Sequence, residues 1–193
     1  MKILYTAAYT SDCHQDIRKC EYSCSLNWFK SHDYDPYVVE CYQTQGPLVY
    51  EKYTDKVFYA CVNDTSLKNK GVNEAKAILK ALDHYGFSDE ELIVKVTGRY
   101  QPRETIFLDT VSNAKEDVVC LYLGGQIFTG VVAFRCGLFK EILNSLDYKE
   151  MEERMINIEQ KVAIYVESHK ISVRCVSKIH FLCNIAFQGD IYL

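Results

Sequence analysis

The sequence predicts a single α/β domain: a mixed sheet flanked by helices, Rossmann-like in its first half and antiparallel in its C-terminal portion. Three observations predict it. Strand-like and helix-like segments alternate through the first hundred of 193 residues. Residues 92–96 are continuously apolar apart from Lys95, the pattern of a strand buried on both faces of a parallel sheet. Beyond Asp117 two β runs, 118–123 and 126–134, are joined by Gly124-Gly125, a hairpin signature.

Residues 2–9 read as a strand, Thr10-Ser11-Asp12 as turn and cap, and 16–32 as a helix with Ile17, Cys20, Cys24 and Trp28 at helical spacing. A second strand over 37–42 leads through a turn with Gly46-Pro47 to a third over 56–62, which Asn63-Asp64-Thr65-Ser66 closes. The helix over 72–85 carries Ala75, Ile78, Leu79 and Leu82 on one face and is capped by Gly86. After the two β runs, residues 138–146 and 148–168 read as helices, the second with a stripe of Met151, Met155, Ile158, Val162 and Val166, and 172–193 as largely extended chain. No internal repeat, linker or low-complexity segment interrupts this order.

Hydrophobic residues make up 48% of the chain, enough for one domain with a full core. The net charge of −4 gives no sequence-wide positive field for a nucleic-acid backbone or an anionic membrane, so any phosphate binding is local. No membrane-spanning run of apolar residues occurs, and residues 1–10 lack the apolar stretch of a signal peptide. A soluble, cytoplasmic protein is expected.

The nine cysteines are odd in number and include no C-x-x-C; Cys20-x-x-x-Cys24, with His14 nearby, is the tightest spacing. Cys61, Cys120, Cys175 and Cys183 alternate with apolar residues in predicted strands and read as reduced core thiols. The five histidines are scattered, without H-x-x-x-H.

Two stretches carry the chemistry: Asn69-Lys70-Gly71-Val72-Asn73-Glu74 opening a helix and Lys95-Val96-Thr97-Gly98-Arg99-Tyr100 closing an apolar strand. In open α/β sheets ligands sit beyond the carboxyl ends of strands, so Thr6, Ala7 and Tyr9, then Asn63 and Asp64, then Thr97 to Tyr100 are expected to converge. Lys70 beside Gly71 can offer backbone N–H groups, a positive helix end and an ammonium to one phosphate. It reads equally as a solvated lysine at a helix cap. Arg99, following Gly98, can clamp a diphosphate in bidentate fashion. Lys95 within a buried strand needs a partner, either a ligand or a carboxylate in a structural ion pair. Tyr9 and Tyr100 are placed to stack on a base or a sugar face.

N-K-G-x-x-E followed by an apolar strand ending K-x-T-G-R-Y resembles small nucleotide-sugar glycosyltransferases of bacterial surface-polysaccharide loci and large DNA viruses. The resemblance implies a GT-A fold with a nucleotide-binding half (1–110) and an acceptor-side half (111–193), a nucleotide-diphospho-sugar donor, and hexosyl or deoxyhexosyl transfer to a glycan hydroxyl. The segment Gly124 to Val131, with Thr129 and Gly130, resembles the region that carries the donor sugar and opens the acceptor cleft. Its glycines read either as close approach to a sugar or as turn and bulge.

Many members of that fold hold Mg2+ or Mn2+ with Asp-x-Asp at the end of the fourth strand. Here Thr97-Gly98-Arg99 stands in that place and Asp-x-Asp is absent from the sequence, which puts metal dependence in doubt: no cofactor is certain, and Mg2+ or Mn2+ stays open without a motif to support it. Arg99, Lys95 and Lys70 are the residues expected to neutralise the leaving group instead. An inverting transfer also needs a carboxylate to take the acceptor proton. Glu159, on the margin of the 148–168 stripe, is the first choice and Glu152 the next, with a solvated helix-face glutamate as the alternative. Two other readings stand beside the transferase. One is a non-catalytic nucleotide-sugar or protein-interaction module of the same fold. The other is a nucleotidyltransferase, which would want a Gly-rich phosphate loop after strand one where Thr6-Ala7-Ala8-Tyr9 stands.

Overall fold

The computed structural model describes residues 1–9, 15–43, 46, 48–62, 64–185 and 189–193. The expected Thr10-Ser11-Asp12 turn, Cys13, His14, Pro47, Asn63 and Gln188 lie outside the described residues.

A seven-stranded sheet organises the chain. Strands β1 (Lys2–Ala7), β2 (Tyr37–Glu40) and β3 (Val57–Tyr59) run parallel and step outward in chain order, and β4 (Leu92–Thr97) then returns to the other side of β1. Helices α1 (Gln15–Ser31) and α2 (Lys70–Tyr85) supply crossovers. The sheet continues through β9 (Val131–Arg135), β6 (Val118–Cys120) and β10 (Val173–Cys175). β9 is antiparallel to both neighbours, whereas β10 is parallel to β6.

Alternation along the central strands divides the core. Ile3, Tyr5, Ala7, Val94 and Val96 pack on the α1 side, and Leu4 and Ile93 on the α2 side. β1 and β4 are therefore buried on both faces, as their apolar runs predict. Lys95 falls on the α2 side.

α1 presents Tyr22, Ser25, Leu26 and Phe29 to the sheet, while Ile17, Cys20 and Cys24 are exposed and Trp28 is half-buried. The larger aromatic surfaces take the interior: the Tyr22 and Phe29 rings each meet the Tyr5 ring edge-on at 6.3 Å. α2 buries Ala75, Ile78 and Leu82 as expected, leaves Leu79 half-buried, and ends at Gly86 with φ +61°, a left-handed cap.

The C-terminal half departs from expectation in detail. Gly124-Gly125 does turn a hairpin, but it joins only β7 (Tyr122–Leu123) and β8 (Gln126–Ile127); each long β run is split between that hairpin and the main sheet. α4 (Cys136–Ser145) starts two residues earlier than expected. The predicted 148–168 helix is two, α5 (Tyr148–Glu153) and α6 (Ile158–Ser168), each opened by its own cap, Asp147 and Asn157. Met155, placed on the apolar stripe, sits between them at φ +52° and is 57% exposed. The short β5 (Gln101–Pro102), β11 (Phe181–Ile185) and β12 (Gly189–Tyr192) form a separate antiparallel sheet, and α3 (Ile106–Ser112) precedes β6.

Cys120 and Cys183 are core thiols, but Cys175 is exposed on the edge strand β10, and Cys61, expected in a strand, is exposed two residues beyond the end of β3. No helix among the described residues is long and apolar enough to cross a membrane.

β4 leaves the sheet through Gly98. The Tyr5 hydroxyl donates to the Gly98 carbonyl at 2.5 Å, and a Cβ there would lie 2.9 Å from the Tyr5 and Tyr22 rings and 3.0 Å from the Thr6 carbonyl. Gly98→Ala is expected to lower unfolding free energy by about 1–3 kcal/mol through overpacking. A urea titration followed by circular dichroism checks this, and an unshifted midpoint would show that the rings yield.

Candidate functional site

The chain order reverses between β1 and β4, and a cleft of about 380 Å³ opens at their carboxyl ends. β1 contributes Thr6 and Ala7, β4 and its continuation Lys95, Thr97, Gly98, Arg99 and Tyr100, and α2 Lys70, Gly71 and Glu74. Thr129 and Gly130, from the connection between β8 and β9, and Glu159, from the first turn of α6, complete the far wall. Tyr9 and Asp64, expected in the same place, do not border it.

At its base the two sequence motifs interlock. Lys95 is 2% exposed, and its ammonium donates to Glu74 Oε1 at 2.7 Å, Thr97 Oγ1 at 2.8 Å and the Thr129 carbonyl at 2.9 Å. Those acceptors use its three protons, so Lys95 is a structural ion pair rather than a free cation for a ligand. Glu74 also accepts from Thr6 Oγ1 at 3.1 Å. Burial pushes the Glu74 carboxyl up, but the charge and hydrogen bond of Lys95, the Thr6 hydroxyl and the charge of Arg99 outweigh it and hold the group below its ordinary value.

The Thr129 hydroxyl donates to Glu159 Oε1 at 2.6 Å, which leaves Glu159 half-buried at the cleft. Glu152, the second choice for a base, lies elsewhere: it accepts the backbone N–H groups of Lys68 and Asn69, and those hydrogen bonds hold its pKa down. The opening of α2 is also already occupied in part. Asn69 Oδ1 accepts the Gly71 N–H at 3.1 Å, while its amide donates to the carbonyls of Met151 and Ile156, so the Gly71 N–H is not free for a phosphate. The exposed Lys70 ammonium touches only the Leu67 carbonyl, at 3.2 Å, among the described residues.

Arg99 is half-buried, lies 6.0 Å from the Tyr100 ring centroid, and makes no hydrogen bond or ion pair to a described residue. Tyr100 stacks on Phe128 at 5.7 Å, and a Cβ on Gly130 would run into both rings. Gly130 therefore makes room for the protein's own aromatics. Sequence reasoning missed Arg18, paired with Glu21 at 3.0 Å, and Tyr22, Cys41 and Tyr42, which also line the cleft. It missed Glu40 too. That carboxylate is fully buried and gathers the Tyr50 hydroxyl with the backbone N–H groups of Tyr9, Tyr42 and Gln43, which explains why Tyr9 is held outside. Its end-of-strand position was the available signal.

The cleft offers a divalent metal two carboxylates, Glu74 and Glu159. Among the described residues no three His, Cys, Asp or Glu side chains cluster, Glu74 is engaged by Lys95, and a cation, Arg99, follows β4.

No known protein family and no curated protein matches this sequence. Solved structures do match its fold. The galactosyltransferase LgtC, determined with donor and acceptor sugar analogues, aligns over 91% of this chain and 73% of its own at TM-score 0.53 and 8% identity. A glycosyltransferase involved in glycosylation of the major capsid of PBCV-1 aligns over 91% and 81%, at TM-score 0.54 and 13% identity. A cytidylyltransferase from Leptospira borgpetersenii aligns over 91% and 74%, at TM-score 0.55 and 15% identity. The fold is thus the GT-A-like one shared by glycosyltransferases and nucleotidyltransferases.

Because the folded-state pKa of Glu74 lies below its ordinary 4.5, the pair's contribution to stability is fully present above about pH 4.5 and is lost as pH falls through the lower folded value. Lys95→Met is expected to cost about 2–4 kcal/mol at pH 7, trimmed by the partial exposure of Glu74, and to flatten that acid loss. Urea midpoints measured from pH 3 to 7 check both the size and the slope.

Proposed function

We propose that the chain is a glycosyltransferase that moves a hexosyl or deoxyhexosyl group from a nucleotide-diphospho-sugar to a glycan hydroxyl. One observation carries this reading: Arg99, which makes no hydrogen bond or ion pair to a described residue, and the carboxylate of Glu159 border the same cleft at the switch point of a GT-A-like sheet.

In this reading the donor diphosphate lies against Arg99 and Lys70, whose charges stabilise the leaving nucleoside diphosphate without a divalent ion. Lys95 contributes indirectly, through the residues it holds. Tyr100 offers its ring to the donor. Glu159 accepts the acceptor hydroxyl proton while the new bond to the anomeric carbon forms and the bond to the phosphate oxygen breaks, so the sugar is transferred with inversion. Thr6, Ala7, Thr97 and Gly98 shape the floor. The matched LgtC structure, solved with donor and acceptor analogues, supports a two-substrate cleft of this kind.

Nucleotidyltransferases match the fold equally well, but the end of β1 and the sequence that follows it, Thr6-Ala7-Ala8-Tyr9-Thr10-Ser11-Asp12, have no glycine with which to build a phosphate loop. That favours transfer of the sugar over synthesis of the donor. A cytoplasmic site of action fits a nucleotide-sugar donor.

A thermal-shift screen against UDP-, GDP-, dTDP- and CMP-linked sugars, each with EDTA and with Mn2+, tests the proposal. A ligand at a hundred times its Kd adds about 2.7 kcal/mol. Stabilisation by a diphosphate donor that persists in EDTA is the expected result. Stabilisation only with Mn2+ would overturn metal independence, and no shift with any donor would favour the non-catalytic module.

Arg99→Ala is expected to weaken donor binding by about 1.5–3 kcal/mol without unfolding the chain. Calorimetric titration checks it, and unchanged affinity in a folded variant would remove Arg99 from the site.

A further inference from the structure

We infer that Thr129 is a positioning residue for Glu159, and that the buried Lys95–Glu74 pair holds Thr129 in place from behind. The inference rests on the transferase reading above, in which Glu159 is the base. It identifies what gives that base its geometry.

Thr129 is 6% exposed and lies in the connection between β8 and β9, outside both strands. Both of its polar oxygens are engaged by distant parts of the chain. Its carbonyl accepts from Lys95 Nζ at 2.9 Å, and its hydroxyl donates to Glu159 Oε1 at 2.6 Å. The neighbouring Gly130 carbonyl accepts the Thr97 N–H at 2.8 Å, so the backbone of this connection is tied to β4 at two successive residues.

Lys95 cannot turn away, because Glu74 and Thr97 take its other two protons. A continuous line of polar contacts therefore runs from α2 through β4 and the β8–β9 connection to α6. It spends the single hydroxyl proton of Thr129 on one oxygen of Glu159 and leaves Oε2 without a hydrogen bond to a described residue. A carboxylate held by one oxygen, with the other open, has the geometry a proton acceptor needs. The contact joins residues 30 positions apart in the chain.

The test measures release of nucleoside diphosphate from whichever donor stabilises the wild type, with water or a glycan as acceptor. Thr129→Val keeps the shape and removes the proton. It is expected to lower kcat about tenfold to a hundredfold, the range for a reacting group displaced by about 1 Å, with donor KM unchanged within about twofold. Thr129→Ser restores the hydroxyl and is expected to recover kcat to within about threefold of wild type. In a Glu159→Gln background, Thr129→Val is expected to cost nothing further, because the partner it acts through is gone.

Two results overturn the inference while the reading stands: Thr129→Val at wild-type kcat when Glu159→Gln is inactive, or a loss that appears in KM and adds to that of Glu159→Gln, as for a residue touching the donor. Wild-type kcat in Glu159→Gln, or no turnover of any donor by the wild type, overturns the reading and the inference with it. If Thr129→Val does not fold, Thr129→Ala, which also lacks the hydroxyl, carries the same expectations.

Discussion

An ammonium buried in the middle of a strand that is covered on both faces is the constraint around which the rest of this molecule is arranged. Left alone, Lys95 would cost several kcal/mol or lose its proton. The chain meets this with three acceptors drawn from α2, β4 itself and the β8–β9 connection. Satisfying them fixes how far α2 slides along the sheet and how closely the Thr129 segment approaches β4. The two short motifs are therefore one unit: the glutamate that ends N-K-G-x-x-E is the counter-ion of the lysine that begins K-x-T-G-R-Y. A core of Leu and Val would bind the same elements with fewer geometric demands, and would not dictate where the polar ends of those residues point at the cleft.

That pairing also decides which charges remain for a ligand. With Lys95 neutralised by Glu74, Arg99 and Lys70 carry the positive character of the cleft, and Arg18 is partly answered by Glu21. A fully buried carboxylate, Glu40, has the opposite balance. Four groups donate to Glu40, yet burial still pushes its pKa up, whereas that of Glu74 is held down by a full charge beside it. At Glu40 complete burial outweighs four neutral donors, whereas Glu74, partly exposed, has the Lys95 ammonium 2.7 Å away. The contribution of Glu40 to stability is accordingly greatest below its unfolded pKa and is lost as pH rises through the folded value, the reverse of Glu74. Its value to the protein lies in geometry, since it binds the segments after β1 and β2 that supply Ala8, Cys41 and Tyr42 to the cleft.

Much of this was legible in the sequence because it follows from strong local signals. The strand–helix alternation, the doubly buried β4 and the glycine cap of α2 each have one dominant physical cause, and the cleft follows from the topology they imply. The failures have causes as well. α3 has seven residues and no side-chain cap bond, and β5 has two residues, one of them proline, so neither carries a periodic signal. The break between α5 and α6 was marked by Asn157 and Gln160, a capping pair, but the apolar period ran through it and masked the stop. Tyr9 was misplaced because its position depends on Glu40, whose buried cluster exists only once β1 and β2 are paired. Glu159 and Thr129 were found separately, but their contact joins elements 30 residues apart and no local spacing reveals it.

The glycines sharpen the distinction between a residue that serves a ligand and one that serves the wall around it. Gly98 and Gly130 lie in the segments where close approach of a sugar would call for glycine, yet the atoms nearest to each missing Cβ are mostly aromatic: Tyr5 and Tyr22 at the first, Tyr100 and Phe128 at the second. Without those Cβ atoms the rings close directly on the backbone, and Tyr100 is pressed against Phe128 in a stacked pair at the rim of the cleft. A ring so held loses little freedom when a ligand lies against it. Arg99, adjacent in sequence, sits 6.0 Å from the centroid of that ring. The two glycines thus serve the packing of the wall, and a side chain at either is felt in stability.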